Sequence, residues 1–323
     1  MSGELVLGID VGGTKLAGVA TNGAAVVAEG RRVLVSGRAL GDQVIDLARE
    51  LITVAGNGAV TGIGLAVPGQ VDTASGVIEL AVNLEVRGLP IGSIVSAELG
   101  APCFVEHDAR AVAAWIAADR HESALAYVSV GTGVSAGVVL DGRVLHGTDG
   151  IAGEIGHTLG DPSGPRCACG LIGCVEALAS GPAVARAAAE SIAAGTASSL
   201  SRRPSTADVY AAAAQGDPLA EGIVMRAATH IAAAIRGIAL AFGVRSIVVG
   251  GGVARAGEAF AAPLRAALDR ERDASALVAQ ALPRNAVEVL DDERPLGALG
   301  AAAVARTQVQ PAVPAVGREV GQR

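Results

Sequence analysis

The chain has 323 residues, of which 51% are hydrophobic and 18% charged. That is enough for two domains of ordinary size, and the balance excludes global disorder. Aromatics are only 2%, so the core must be built from Ala, Val, Leu and Ile, and the net charge of −7 without a Lys/Arg run disfavours nucleic acid as a partner.

The N-terminal MSGELVLGID has no basic segment ahead of its apolar run, so no signal peptide is expected. Leu5–Asp10 reads as an apolar strand, Gly12-Gly13 as a turn and Leu16–Thr21 as a return strand. Asn22-Gly23 is a hairpin signal, and Ala25–Ala28 begins a third strand. Leu40–Ala55 has helical periodicity, and Thr61–Val67 is a buried strand ending at Pro68-Gly69. Cys103–Glu106 is a further strand, and Asp108 starts or caps an Ala-rich helix running through Trp115 to Ala118.

The pattern then restarts. Ala124–Val130, Gly131-Thr132-Gly133, Val134–Leu140 and Asp141-Gly142 repeat the order strand, small turn, strand, hairpin turn. LGIDVGGTKLAGVATNG and VSVGTGVSAGVVLDG read as one unit used twice, which suggests two lobes with a ligand cleft between them. Further on, Glu176–Ala194 and Pro218–Phe242 are helical, and Ser246–Val249 is a strand running into Gly250-Gly251-Gly252. Glu258–Arg270 is helical, Val287–Leu290 a strand and Leu296–Arg306 a closing helix, whereas Gln308–Arg323 has no periodicity and is expected to be disordered. Strands alternating with helices indicate the α/β class. The uncharged stretches Leu51–Val71 and Ser123–Leu140 are broken by glycines and polar residues, so they read as buried strands and turns rather than membrane spans. A soluble cytoplasmic protein with no membrane partner is expected.

Asp10-Val11-Gly12-Gly13-Thr14-Lys15 lies between two strands and so is not the strand–loop–helix phosphate loop. Its physics is related: glycines bring backbone N–H groups to an anion, Thr14 donates from its hydroxyl and Lys15 adds charge. Asp10, at a strand end, is suited to hold the water shell of Mg²⁺. Gly131-Thr132-Gly133 and Gly250-Gly251-Gly252 are two further glycine-rich strand ends, as a nucleotide spread over two lobes requires.

Three of the four cysteines, Cys167, Cys169 and Cys174, lie within one short segment, RCACGLIGC. In a reducing compartment such a cluster reads as a zinc site, with free thiols or a partial disulfide as the alternative. His157 can supply the fourth ligand, and a closed Cys₃His set has no open position, so the zinc is structural. Cys103 stands alone and reads as a small buried apolar residue.

The hairpin GIDVGGTK, the turn VGTG and the strand IVVGGGV resemble the phosphate and adenosine motifs of the sugar kinase, actin and heat-shock ATPase superfamily. Within it, EIGH at Glu154–His157 followed by CACGLIGCVE at Cys167–Glu176 resembles the ROK family (repressor, open reading frame, kinase), in particular its bacterial glucokinase branch. The resemblance runs from Leu5 to about Arg306.

It implies a two-lobed actin/hexokinase-like fold with duplicated ribonuclease H-like halves. The small lobe is 1–122 with 296–307 packing back on it; the large lobe is 123–295 with the zinc loop; 308–323 is a tail. The implied reaction is ATP-dependent phosphorylation of a hexose, leading with glucose to glucose 6-phosphate, with N-acetylmannosamine or another hexose as the alternative acceptor. Asp10, Gly12, Gly13, Thr14, Lys15, Gly131, Thr132, Gly133, Gly250, Gly251 and Gly252 bind ATP and Mg²⁺ in this reading. Asp108 is the general base, and Gly69, Asn83, His107, Asp108, Glu154, His157 and Glu176 surround the sugar. His157, Cys167, Cys169 and Cys174 hold zinc, so the metal fixes the loop that shapes the sugar pocket.

The chain departs from the family's Glu-Asn-Asp-Ala pattern. His107 stands where Asn is usual, and Arg110 replaces another Asn. His107 is either an altered sugar contact or a strand-end histidine. A sugar-sensing regulator without catalysis is the reading from another class, against which stand Asp10, Lys15 and Asp108. A DNA-binding repressor is disfavoured by the charge and by the hairpin beginning at Leu5. The family implies a homodimer or homotetramer. Polyphosphate is the alternative donor to ATP.

Overall fold

The chain opens with an antiparallel meander, β1 (Leu5–Val11), β2 (Lys15–Asn22) and β3 (Ala25–Val33). Helix α1 (Leu40–Val54) buries Val44, Leu47, Ala48 and Leu51 on one stripe and leads into β4 (Val60–Val67), which lies parallel to β1. A small antiparallel sheet follows, made of β5 (Gln70–Asp72), β6 (Val77–Ala81) and β7 (Val86–Leu89). Then come α2 (Ile91–Leu99), β8 (Cys103–His107), parallel to β4, and α3 (Asp108–Asp119). These coordinates are a computed structural model that describes residues 4–290 and 294–309, apart from the side chain of Asn83.

The second series is β9 (Leu125–Val130), β10 (Val134–Leu140), β11 (Arg143–Val144), α4 (Val175–Ala179), α5 (Gly181–Ala193), α6 (Thr206–Ala214) and α7 (Pro218–Phe242). It continues with β12 (Ile247–Gly250), α8 (Glu258–Ala274), α9 (Ala276–Ala281) and β13 (Val287–Val289), and the chain's last described element is α10 (Leu296–Val309). Among the described residues there are two five-stranded sheets, ordered β3-β2-β1-β4-β8 and β11-β10-β9-β12-β13. In both, an antiparallel meander is extended by two strands parallel to its first. The repeat seen in the two Gly-rich hairpins is thus a repeat of whole-sheet topology.

The chain divides into two units. One runs up to Ala111 and resumes at Pro295; the other is Val112–Arg294. The division falls inside α3, ahead of the step that the sequence pattern places near Ser123. Within the first unit, α10 packs on β1 and β4 through paired glycines. A Cβ on Gly8 would overlap the carbonyl of Ala298, and one on Gly64 the carbonyl of Ala301, while Gly8 and Gly64 face each other in register. This contact is how an aromatic-poor chain obtains dense packing: small residues let backbones touch.

In the second unit Ile223, Ile231 and Ile235 of α7 join Ala126, Val128 and Ala136 of the sheet in one core, with the Tyr210 and Phe260 rings tilted against each other at 6.1 Å. Among the described residues α7 is the one helix long and apolar enough to cross a membrane, and half of its most apolar stretch is buried in this core. Two expectations need correction. The helix read as Glu176–Ala194 is two helices, because Ser180 is extended and caps α5, with Pro182 in its first turn. The stretch read as tail from Gln308 opens inside a helix: Gln308 and Val309 close α10, and residues 310–323 lie outside the described residues.

Candidate functional site

In each sheet the parallel strands end on the same edge, where open α/β sheets hold ligands. In the first unit that edge carries Asp10 near the end of β1, Pro68-Gly69 after β4, and His107-Asp108 at the end of β8. The Gly12 N–H donates to the Lys15 carbonyl at 2.9 Å, closing the hairpin, and Gly13, Thr14 and Lys15 are exposed beyond it. Gly69 has φ of +92°, and a side chain there would run into the Leu80 carbonyl, so the loop depends on glycine. Asn83 lies in a 3-10 turn, Val82–Leu84, and its side chain is outside the described residues.

The Asp10 carboxyl is pushed up to about 7, first by loss of water around it and then by the charge of Asp108, with Lys15 opposing. A carboxylate short of positive charge beside a second carboxylate suits a divalent cation. The residue that gives Asp10 its place was not legible in sequence. It is Gly297 in the first turn of α10, where any Cβ would overlap the Asp10 carboxyl group.

At the end of β8, Asp108 opens α3 and is about one-third exposed. Its Oδ1 accepts the Ala109 N–H at 2.6 Å. His107 does not extend outward beside it: the residue is 3% exposed, with Nδ1 3.3 Å from Asp108 Oδ1. Arg110 is fully buried, its Nε donating to Glu106 Oε1 at 2.8 Å, and the same oxygen accepts the His107 N–H at 2.7 Å. The two departures from the family pattern therefore belong to one buried charged network beneath Asp108. Glu106 was missed by sequence reasoning, although its i,i+4 spacing to Arg110 is a visible signal.

In the second unit, Gly131, Thr132 and Gly252 line a cavity of about 630 Å³. Its walls include Pro182, Ala207, Ala211, Ala214 and Ala256, with Thr206, Tyr210 and Arg255 as polar members that sequence reasoning did not find. The other glycines of the two motifs shape backbone instead. Gly251 has φ of +97° and lies tight against the backbone of Val130, and a Cβ on Gly250 would meet the Tyr127 ring at 2.9 Å. Gly133 faces Glu176: a Cβ there would lie 2.7 Å from its Oε2. That oxygen accepts the Val134 N–H at 3.1 Å.

His157, Cys167, Cys169 and Cys174 come together, their ligand atoms all within 4.8 Å of one another. Cys169 and Cys174 sulfurs are 3.6 Å apart, and the Cys167 sulfur is 3.7 Å from His157 Nδ1. The edges of a tetrahedral zinc site with such ligands are about 3.5–3.8 Å, so the donor set and these two distances fit that ion. Burial holds the Cys174 thiol up at about 12 and raises Cys167 as well, while Cys169 is lowered, first by a backbone hydrogen bond from Leu171. The other His157 nitrogen, Nε2, is 3.8 Å from Glu154 Oε2. One imidazole thus faces the cysteines on one side and the Glu154 carboxylate on the other. Cys103 lies outside the cluster, partly buried against the first unit's core.

The ROK family profile matches residues 6–308, and the chain belongs to that family. The glucokinase of Thermotoga maritima is 31% identical over 271 residues, which is 80% of this chain and 86% of the relative. The N-acetylmannosamine kinase of Citrobacter koseri is 34% identical over 278 residues, 82% of this chain and 89% of the relative. The crystal structure of a ROK hexokinase from Thermus thermophilus matches with a TM-score of 0.77 at 32% identity, covering 94% of this chain and 99% of the other. The architecture is accordingly the actin/hexokinase-like fold.

Proposed function

We propose that the protein is an ATP-dependent hexose kinase, with glucose as the leading acceptor and N-acetylmannosamine as the alternative. The observation that carries this reading is the pairing of Asp108 with the phosphate hairpin on one sheet edge, close enough for its charge to be felt at Asp10. The names of the relatives support the same chemistry and leave both sugars in play.

In this reading Asp108 accepts the proton of the attacking sugar hydroxyl, the 6-OH of glucose. The N–H groups of the Asp10–Lys15 hairpin and the Lys15 ammonium face the transferring phosphoryl group, and Asp10 holds the waters of the divalent ion that neutralises it. Gly131, Thr132 and Gly252 border the nucleotide cavity. Glu154, His157 and Glu176 accept and orient sugar hydroxyls, and His157 with the three cysteines holds a structural zinc that keeps their loop in shape.

The test is ADP release coupled to a chromogenic reporter, over glucose, mannose, N-acetylmannosamine and N-acetylglucosamine, with Asp108→Asn as control. Turnover lost in the control is expected. Intact sugar and ADP binding with no turnover on any acceptor overturns the kinase and favours the sugar-sensing regulator. Native mass spectrometry that finds no zinc in freshly purified protein overturns the metal assignment.

A further inference from the structure

The two residues after Cys174 lead straight to the turn that borders the nucleotide cavity. Cys174 is followed by Val175, whose N–H donates to the Thr158 carbonyl at 3.0 Å, next to His157. Then comes Glu176, whose Oε2 takes the Val134 N–H at 3.1 Å. The Gly131–Gly133 turn is closed on itself by the Gly131 N–H donating to the Gly133 carbonyl at 2.9 Å. Its outer side is gripped twice by the same short segment. Glu176 holds the amide just after the turn, and the Gly181 N–H at the start of α5 donates to the Gly131 carbonyl at 2.8 Å. Two glycines mark how tight this junction is. A Cβ on Gly133 would take the place of Glu176 Oε2, and one on Gly156 would overlap the Val134 carbonyl and lie 3.2 Å from Glu176 Cβ.

We propose that Glu176 is a positioning residue for the nucleotide-phosphate turn in addition to being a sugar contact, and that through it the His157–Cys174 loop fixes the turn's shape. The inference rests on the kinase reading above. It changes what the cysteine loop is for: one carboxylate reports the state of that loop to the nucleotide side as well as to the sugar side. The physical basis is the hydrogen bond that the Glu176 oxygen accepts from the Val134 amide, held by a half-buried side chain on a helix. Released from it, the Val134 amide and the preceding glycines sample many conformations, and the nucleotide must select among them.

The test compares Glu176→Ala with Glu176→Gln in the full-length, metal-loaded protein, with zinc content checked to be equal. Glutamine keeps a carbonyl oxygen for the Val134 N–H but loses the charge that receives two sugar hydroxyls; alanine loses both. The probes are ADP with Mg²⁺ by calorimetry, the leading sugar by the same method, and amide hydrogen exchange at Val134. We expect alanine to weaken ADP binding about tenfold and to speed exchange at Val134, while glutamine leaves both within about twofold and still loses sugar affinity. Because glutamine preserves the fold's hydrogen bond, the split between the two variants separates positioning from general destabilisation. ADP affinity unchanged in Glu176→Ala, or lost equally in both variants, overturns the inference alone. A wild-type protein that binds no ADP overturns the kinase reading, and this inference with it.

Discussion

His107 Nδ1 lies 3.3 Å from Asp108 Oδ1, with the histidine side chain 4% exposed and the aspartate 35%. The base candidate thus faces solvent with an imidazole behind it. An Asn at position 107 would have a shorter reach. The ring lies within the fold, beside the carboxylate.

Replacing His107 with alanine is therefore expected to act on turnover. Asp108 keeps its bond from the Ala109 amide but loses the imidazole that lies 3.3 Å from its Oδ1. We expect kcat to fall about tenfold, roughly 1.4 kcal/mol of transition-state stabilisation, with the sugar KM within about threefold of wild type. Steady-state kinetics on the best acceptor gives both numbers. A large rise in KM at unchanged kcat would assign His107 to the sugar.

Arg110 and Glu106 form a buried ion pair in which one carboxylate oxygen serves both the guanidinium and the His107 amide. Removing one partner takes a charge-assisted hydrogen bond from the other. Arg110→Ala is expected to lower unfolding free energy by about 3–5 kcal/mol, read by urea denaturation. The double variant Glu106→Gln, Arg110→Met is expected to recover part of that loss, since no uncompensated charge remains. A loss below about 1 kcal/mol for Arg110→Ala would show that the pair behaves like a surface one.

Asp10 gives a pH prediction with a definite sign. Its ordinary pKa is 3.8 and its folded value is about 7. Between these values the unfolded chain is ionised while the folded one keeps its proton. Stability from this group is complete below 3.8 and is lost as pH rises through 7. Without divalent cations, Asp10→Asn should therefore be more stable than wild type at pH 8, by on the order of 3 kcal/mol, and the gap should narrow toward pH 5. The same variant is expected to lose kinase activity. Equal stabilities at pH 8 would show that the carboxylate is ionised at little cost.

The cavity proposed for the nucleotide predicts a tolerant donor site. Its apolar lining is Pro182, Ala207, Ala211, Ala214 and Ala256, which present methyl and methylene groups beside the polar Thr206, Tyr210 and Arg255. Apolar walls discriminate weakly, by about 10- to 200-fold, whereas a hydrogen-bonding pocket reaches about 10⁴. We expect kcat/KM for GTP to lie within about 100-fold of that for ATP. A ratio above about 10⁴ would mean that backbone groups or the Thr206 hydroxyl read the base.

Much of this was legible in sequence because the informative residues have few physical uses. Gly-rich turns flanked by apolar strands announced the repeated meander. Pro218 and Phe242 bound α7 as the pattern placed them, since Asp217 caps one end and Gly243 closes the other. The cysteines and His157 announced their own cluster. What escaped was set by tertiary contact. Short strands β5 to β7 carry too little alternation to register, and α6 is so rich in alanine that it has almost no apolar stripe. The break at Ser180 was readable, because Ser-Gly-Pro is a capping sequence, but the alanine-rich sequence on either side masked it. Gly297 has no signature of its own, and Glu106 shows only its i,i+4 spacing to Arg110. Each matters because of a residue far away in sequence or buried beside it.

The packing of α10 on β1 and β4 has a consequence for how the protein is made. The second unit is continuous, and its chain is complete once Arg294 has been synthesised. The first unit begins the chain yet lacks the cover for one face of its sheet until α10 emerges. Synthesis is vectorial, and domains fold as their chains are completed. β1 and β2 thus leave the ribosome well before α10 and are sealed only after it, and in the interval Val6 and Val19 stand open to a chaperone or to another nascent chain.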